Sequence, residues 1–368
     1  MQRKSFMALM AVLALVIAAC GGGTDETTTT ADGGGDTTTT VAVETTTTEA
    51  AGPEVGSEEN PIQVLFVPSV SAEEIIAGGE LLEATLEAET GYFFDVSVPT
   101  SYGAVLEEMC ANPEKVMAFI PAQAYVLGSD LCGVDVALKS LRFGYTEYWA
   151  EFITQRDSDI NTIEDLAGRT WAYPDATSTS GFLVPSGIFA TTGIETGDVL
   201  EAGGHTATVL AVYNGEADFG TVFFSPAIDA EGNDAWDGTD AGADVPADLL
   251  SSCGLDAEGA LFCGDNYEVR DARRNIREDH PDVIQMVRII SLSAPIPNDT
   301  LSFSPDFSEM QRESIVNALK AFADNDPDGF STAFDAYSWS GVADTTDSDF
   351  DSIRALVDAL GIGPDDLG

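Results

Sequence analysis

The chain has 368 residues, 44% of them hydrophobic, with 63 acidic against 15 basic side chains and a formal net charge of -48. That balance excludes a nucleic-acid partner, which needs a basic face. It also repels anions at long range until salt screens the field beyond about 8 Å, so an anion can be held only by a local arrangement of donors.

The first twenty residues are predicted to be an export signal. Arg3 and Lys4 precede the apolar run Phe6 to Ala19, which is too short to span a bilayer comfortably. Ile17–Ala18–Ala19–Cys20 resembles a bacterial lipobox, which implies a lipidated Cys20 and a protein held on the extracytoplasmic face of the membrane. Residues 21–60 read as a tether: threonine tetrads alternate with Gly, Asp and Glu and carry no apolar periodicity. As a flexible coil of about 40 residues it would reach roughly 35 Å.

The remaining stretch of about 300 residues is long enough for two lobes. Ile62 to Val67 reads as an apolar strand, followed by a helix through Ile75 to Leu86 that Gly91 closes. Phe93 to Val98 is a second predicted strand, Tyr102 to Met109 a helix, Val116 to Ile120 a third strand, and Tyr148 to Thr154 a fourth. Ile163 to Gly168 reads as a short helix and Arg169 to Tyr173 as a strand. A helix then runs to about Thr191, with an irregular start expected at Pro185. His205 opens a helix ending at Gly215, and Asp218 to Phe224 is a strand. Residues 230–264, rich in Gly, Asp and Ala, read as an insertion, and Met310 to Ala323 and Phe350 to Leu360 as amphipathic helices. Strands alternating with helices predict an α/β protein whose layers surround largely parallel sheets.

Apart from Cys20 the cysteines are Cys110, Cys132, Cys253 and Cys263, an even number in an exported chain. Three pairings are possible. The local one, Cys110 with Cys132 and Cys253 with Cys263, closes the shortest loops and is favoured. The spacings are not those of a zinc site, and no metal or other cofactor is expected.

The most informative stretch is Pro174 to Pro185, where Ser178, Thr179 and Ser180 precede Gly181 between a predicted strand and a predicted helix. Hydroxyl groups and the free N–H groups of a helix start can converge on one anion. The stretch has no lysine or arginine, so the grip is expected to come from dipoles rather than from a counter-charge. Taken alone, S-T-S is equally a helix cap.

Together with its companions the stretch resembles the phosphonate-type substrate-binding proteins of ABC importers. Ser178 to Pro185, Gly204 to Val212, the pair Tyr148–Trp149, and Ile296–Pro297–Asn298–Asp299 match in order and spacing, and weaker similarity covers Ile62 to Tyr125. The resemblance implies a two-lobe fold in which residues 61–147 and 295–368 form one lobe and 148–294 the other. The two crossings would act as a hinge, and ligand would be delivered to an ABC permease. It implies that Ser178, Thr179 and Ser180 grip phosph(on)ate oxygens, that His205 donates to another, and that Tyr102 and Tyr148 close from the cleft wall. Asp299 would accept a hydrogen bond from a protonated P–OH, which sulfate lacks at neutral pH. Each also has a plainer reading: His205 as a cap, the tyrosines as core, Asn298–Asp299 as a turn.

One position departs from the resemblance. Members that bind aminoalkylphosphonates place a carboxylate where this chain reads Thr221–Val222–Phe223–Phe224–Ser225. A buried ammonium without a partner is costly, so the expected ligand is phosphate, phosphite or a small alkylphosphonate. The same fold could instead serve a sensor or bind another oxyanion or organic acid. An exported phosphohydrolase is disfavoured, because the chain has no metal-ligand cluster and no G-x-S-x-G elbow.

Overall fold

The structure, a computed structural model, describes residues 52–228, 234–236, 244–264 and 267–363. The predicted signal, Cys20 and nearly all of the tether lie outside the described residues, as does much of the expected insertion. The last residues assigned to the tether belong to the body instead. Gly56 N–H donates to Asn60 O, Phe93 N–H donates to Gly56 O, and Gln311 Nε2 donates to Val55 O at 2.7 Å. Backbone groups thus paired have been taken out of the coil ensemble.

In chain order the first elements are β1 (Ile62–Phe66), α1 (Ala72–Thr90), β2 (Phe94–Ser97), α2 (Tyr102–Ala111), β3 (Val116–Ile120), α3 (Ala122–Cys132) and β4 (Asp135–Arg142). Glu73 and Glu74 favour the positive start of α1, and Gly91 ends it in the left-handed conformation. Then come β5 (Glu147–Gln155), β6 (Trp171–Tyr173), α4 (Val184–Thr192), β7 (Val199–Glu201), α5 (His205–Tyr213) and β8 (Phe219–Phe224). Five short strands follow: β9 (Ala227–Ile228), β10 (Asp234–Trp236), β11 (Gly254–Leu255), β12 (Leu261–Cys263) and β13 (Tyr267–Glu268). The chain closes with α6 (Val283–Met286), β14 (Val287–Leu292), β15 (Ile296–Pro297), β16 (Thr300–Phe303), α7 (Glu309–Asn325), α8 (Pro327–Ala333), β17 (Trp339–Asp344) and α9 (Asp351–Leu360).

These strands build two large sheets, β17-β4-β16-β3-β1-β2 and β14-β5-β8-β6-β7, with β15 beside β5. The residues expected to be an insertion contribute to a small antiparallel sheet, β10-β9-β13-β12-β11. The α/β two-lobe expectation holds, but the sheets are mixed rather than largely parallel. Among the described residues, parallel pairing is confined to β1 with β2 and β3, and to β6 with β7 and β8. Those neighbours are joined through helices, which is what a parallel connection requires. Strands arriving from the other sheet, or returning without a crossover helix, run antiparallel: β5 on β8 and β14, and β16 on β3 and β4.

The chain passes between the sheets at two adjacent places. After β4, Phe143 (φ 53) and Gly144 (φ 86) take positive φ in succession, while Arg142 and Tyr145 exchange N–H···O bonds of 2.9 and 3.0 Å. This is the geometry of a tight two-residue hairpin turn. On the return, Asn298 is fully buried and its Nδ2 donates to Ser140 O at 3.1 Å and to Tyr145 O at 2.7 Å. One amide therefore ties the returning strand to both sides of the outgoing turn.

Under the first sheet, Phe66, Phe119, Phe334 and Trp339 form a contiguous aromatic core. In the second, Trp171 stacks parallel to Phe182 with centroids 5.6 Å apart and donates to Thr221 Oγ1 at 2.8 Å. Cys110 is bonded to Cys132, with Cα atoms 5.7 Å apart, and links α2 to α3; Cys253 is bonded to Cys263. A cross-link spanning 22 residues restricts the unfolded chain by roughly 3 kcal/mol. The double substitution Cys110→Ser/Cys132→Ser is expected to lower the unfolding free energy by about that amount in urea titrations, with the native circular dichroism spectrum retained.

Candidate ligand-binding site

The hydroxyl stretch is held by its own backbone. After β6, Asp175 Oδ1 accepts from Thr177 N–H (2.8 Å) and from Thr177 Oγ1 (2.6 Å), while its Oδ2 accepts from Tyr102 N–H at 3.3 Å. Ser178 Oγ accepts from Gly181 N–H at 3.1 Å, and Phe182 and Leu183 N–H both donate to Ser178 O. Residues Thr179–Leu183 thus form a wide π-type turn, with Pro185 entering the first turn of α4. This is the irregular start that Pro185 predicts. Gly181 is required by close approach: a Cβ there would stand 2.2 Å from Pro174 Cγ.

Eight polar side chains line one cavity: Ser69, Tyr102, Arg142, Tyr148, Ser178, His205, Asp299 and Tyr337. Its volume is about 30 Å³. A water needs about 10–15 Å³ by this measure, so the space between these side chains is small. Five of the seven residues expected to contact ligand line it. Thr179 and Ser180 do not; they are buried beside it, and Thr179 Oγ1 accepts from Gln123 N–H at 2.8 Å. Ser178 lines the cavity while acting as the cap of the turn, so its two readings describe one residue.

Among the lining residues outside the sequence-based set are Arg142, Phe223 and Tyr337. Arg142 corrects the expectation of a site without counter-charge. It is 5% exposed, its Nη2 donates to Asp299 Oδ2 at 3.0 Å, and its guanidinium lies 5.2 Å from the Tyr148 ring centroid and 5.1 Å from that of Phe223. The expectation was drawn from the 174–185 stretch alone, whereas the cation arrives from β4 across the cleft. The signal for it is the alternation along β4: Val136, Leu138, Ser140 and Arg142 all face inward. Asp299 therefore reaches the cavity already paired, and any ligand proton would share its carboxylate with Arg142.

Burial dominates the titration of the remaining groups. It pushes the hydroxyls of Tyr102 and Tyr148 up, so both stay protonated as donors at neutral pH. It raises Asp299, against the opposing pull of Arg142. Burial, reinforced by Arg142, lowers His205 to about 3, so its imidazole is neutral. Its Nδ1 and the Nε of Arg142 are buried without a hydrogen-bond partner. The cavity thus offers neutral O–H and N–H donors, one guanidinium and one carboxylate. That arrangement can hold a compact oxyanion.

Comparison with known proteins points the same way. The family model described as ABC transporter, phosphonate, periplasmic substrate-binding protein matches residues 64–350. The phosphate-import protein PhnD of Mycolicibacterium smegmatis is 28% identical over 177 residues, covering 44% of this chain and 54% of that relative, so the match spans about half the relative's length. Among solved structures, a binding protein component of an ABC phosphonate transporter from Pseudomonas aeruginosa superposes with a TM-score of 0.60 at 19% identity, covering 80% of this chain and 84% of that one. PhnD1 of Prochlorococcus marinus, solved in complex with methylphosphonate, gives a TM-score of 0.61 at 12% identity, covering 82% and 98%.

The neutral His205 has a measurable consequence. In the unfolded chain a histidine charges near pH 6.5, about where the folded imidazole, lowered to about 3, stays neutral. The unfolded state therefore binds the extra proton between these values, and acidification destabilises the fold. The variant His205→Gln lacks this contribution. Its unfolding free energy relative to wild type should rise by about 1.4 kcal/mol per pH unit between pH 6 and 4. Denaturant titrations at several pH values measure that difference, and a constant difference would contradict the assignment.

Proposed function

The chain belongs to the phosphonate-type periplasmic substrate-binding proteins of ABC transporters, and from that premise we propose that it captures a compact phosphorus oxyanion in the cavity between its lobes. The ligand is phosphate, phosphite or a short alkylphosphonate. The observation that carries this reading is the convergence of Ser178, His205, Tyr102, Tyr148, Arg142 and Asp299 on one small space. Two of the similar proteins are named for compact ligands: phosphate for the Mycolicibacterium relative and methylphosphonate for the Prochlorococcus structure.

In this reading the lobes open about the two crossings, residues 142–148 and 293–299. Opening would break the bonds that link segments of the two sides: Gln123 N–H to Thr179 Oγ1, Gln123 Nε2 to Ala176 O at 3.0 Å, and His205 N–H to Ser69 O at 2.9 Å. A ligand then meets hydroxyl, imidazole and guanidinium donors, and closure restores those bonds around it. Thr179 acts through closure, as the acceptor that seats the start of α3. Asp299 accepts the proton of a P–OH group, so sulfate, which has none, leaves a carboxylate facing an anion. Cys20 carries the lipid, and the closed protein hands its ligand to a permease.

Thermal denaturation of the full-length chain with phosphate, phosphite, methylphosphonate and sulfate tests this reading. A binder at 100 times its dissociation constant stabilises by about 2.7 kcal/mol. At least one of the three phosphorus oxyanions should do so, and sulfate should not. A flat response to all four contradicts the proposal.

A further inference from the structure

We propose that Arg142 is the specificity-determining residue of the cavity, a built-in cation that bars ligands with a positively charged tail. The inference rests on the phosphorus-oxyanion reading above and adds to it the class of substituent the site accepts: neutral or none.

Four observations carry it. A guanidinium keeps its charge at every accessible pH, and Arg142 is the one arginine or lysine among the residues that line the cavity. Two of the aromatic faces that line the cavity are already occupied by the guanidinium, which lies about equally far from the Tyr148 and Phe223 rings, at 5.2 and 5.1 Å. The one carboxylate lining the cavity is already ion-paired, since Asp299 Oδ2 accepts from Arg142 Nη2 at 3.0 Å with its side chain only 14% exposed, so an ammonium would compete with the guanidinium for it whereas a neutral P–OH need not. Arg142 is also packed in place, its side chain buried beside Tyr148 and Phe223 on an anchored backbone. Its backbone N–H and C=O are both bonded to Tyr145 in the tight turn at Phe143–Gly144. Arg142 therefore supplies, as part of the protein, the charge and the ring contacts that an aminoalkyl tail would bring.

An ammonium admitted beside it would stand about 5 Å from a like charge and would have to compete with that charge for the Asp299 carboxylate. At an effective dielectric constant of about 20, that repulsion weakens binding on the order of 100-fold. The guanidinium does the opposite for the anion, because its unpartnered Nε is a donor still to be filled.

Calorimetry on the full-length protein tests this with two ligands of nearly equal shape, ethylphosphonate and aminomethylphosphonate. Wild type should bind the first on the order of 100-fold more tightly. In Arg142→Ala and Arg142→Met the ratio should fall by at least about tenfold, because Asp299 is released to pair with the amine. In Arg142→Ala/Asp299→Asn the discrimination should return. The methionine variant keeps a straight side chain between the two rings, so it carries the comparison should the alanine variant fail to fold. Because each readout is a ratio, a uniform loss of affinity cancels. Equal binding of the two ligands by wild type, or an unchanged ratio in folded Arg142 variants, overturns the inference. Wild type that binds neither phosphonate, phosphate nor phosphite overturns instead the reading on which it rests.

Discussion

The arrangement of the cavity depends on one ion pair. Arg142 and Asp299 meet at 3.0 Å in a space that leaves the arginine 5% exposed. Desolvating two charges is worthwhile only when geometry and further contacts compensate. Here the guanidinium is flanked by Tyr148 and Phe223, while the Asp299 backbone carbonyl accepts from Ser140 N–H, two residues before Arg142. Each partner sits at one of the two chain crossings between the sheets, and Asn298 bonds those crossings together. The pair thus joins the proposed binding chemistry to the place where the lobes would pivot.

The charge of the chain gives that pair its meaning. With a formal net charge of -48, the surface offers an approaching anion no attraction. The cavity compensates locally with donors that cannot lose their protons near neutral pH. Burial keeps both tyrosines protonated and His205 neutral, so the guanidinium is the one positive group among the residues that line it. Binding of this kind is short-ranged and is set by hydrogen-bond geometry more than by field strength.

Much of the architecture was legible in the sequence, because it lies in local signals. The apolar runs of β1, β3 and β8, the glycine after α1 and the proline inside the 179–192 segment each act within a few residues. What was not legible came from long range. The alternation along β4 puts polar Ser140 and Arg142 on its inward face and Leu141 on the other, so its end reads as surface until burial shows Arg142 facing inward. The helix α3, with neither a capping side chain nor a charge in its first turn, gave no start signal. The parallel character of the sheets was overestimated because the order of elements does not reveal which strands change lobe. Among the site residues, Tyr102, Tyr148, Ser178, His205 and Asp299 were named from a resemblance and do line the cavity. Thr179 and Ser180 share their chemistry with Ser178 and are buried beside the cavity without lining it, their hydroxyls meeting Tyr148 and, for Thr179, the Gln123 N–H. No periodicity distinguishes those outcomes.

The most direct test is a crystal structure of the protein grown with phosphite. The account predicts a phosphorus atom within the cavity, its oxygens at about 2.7–3.1 Å from Ser178 Oγ, the His205 imidazole and the Arg142 guanidinium, with the Arg142–Asp299 pair intact. Phosphite bound elsewhere, or bound here with Arg142 displaced from between Tyr148 and Phe223, would contradict it.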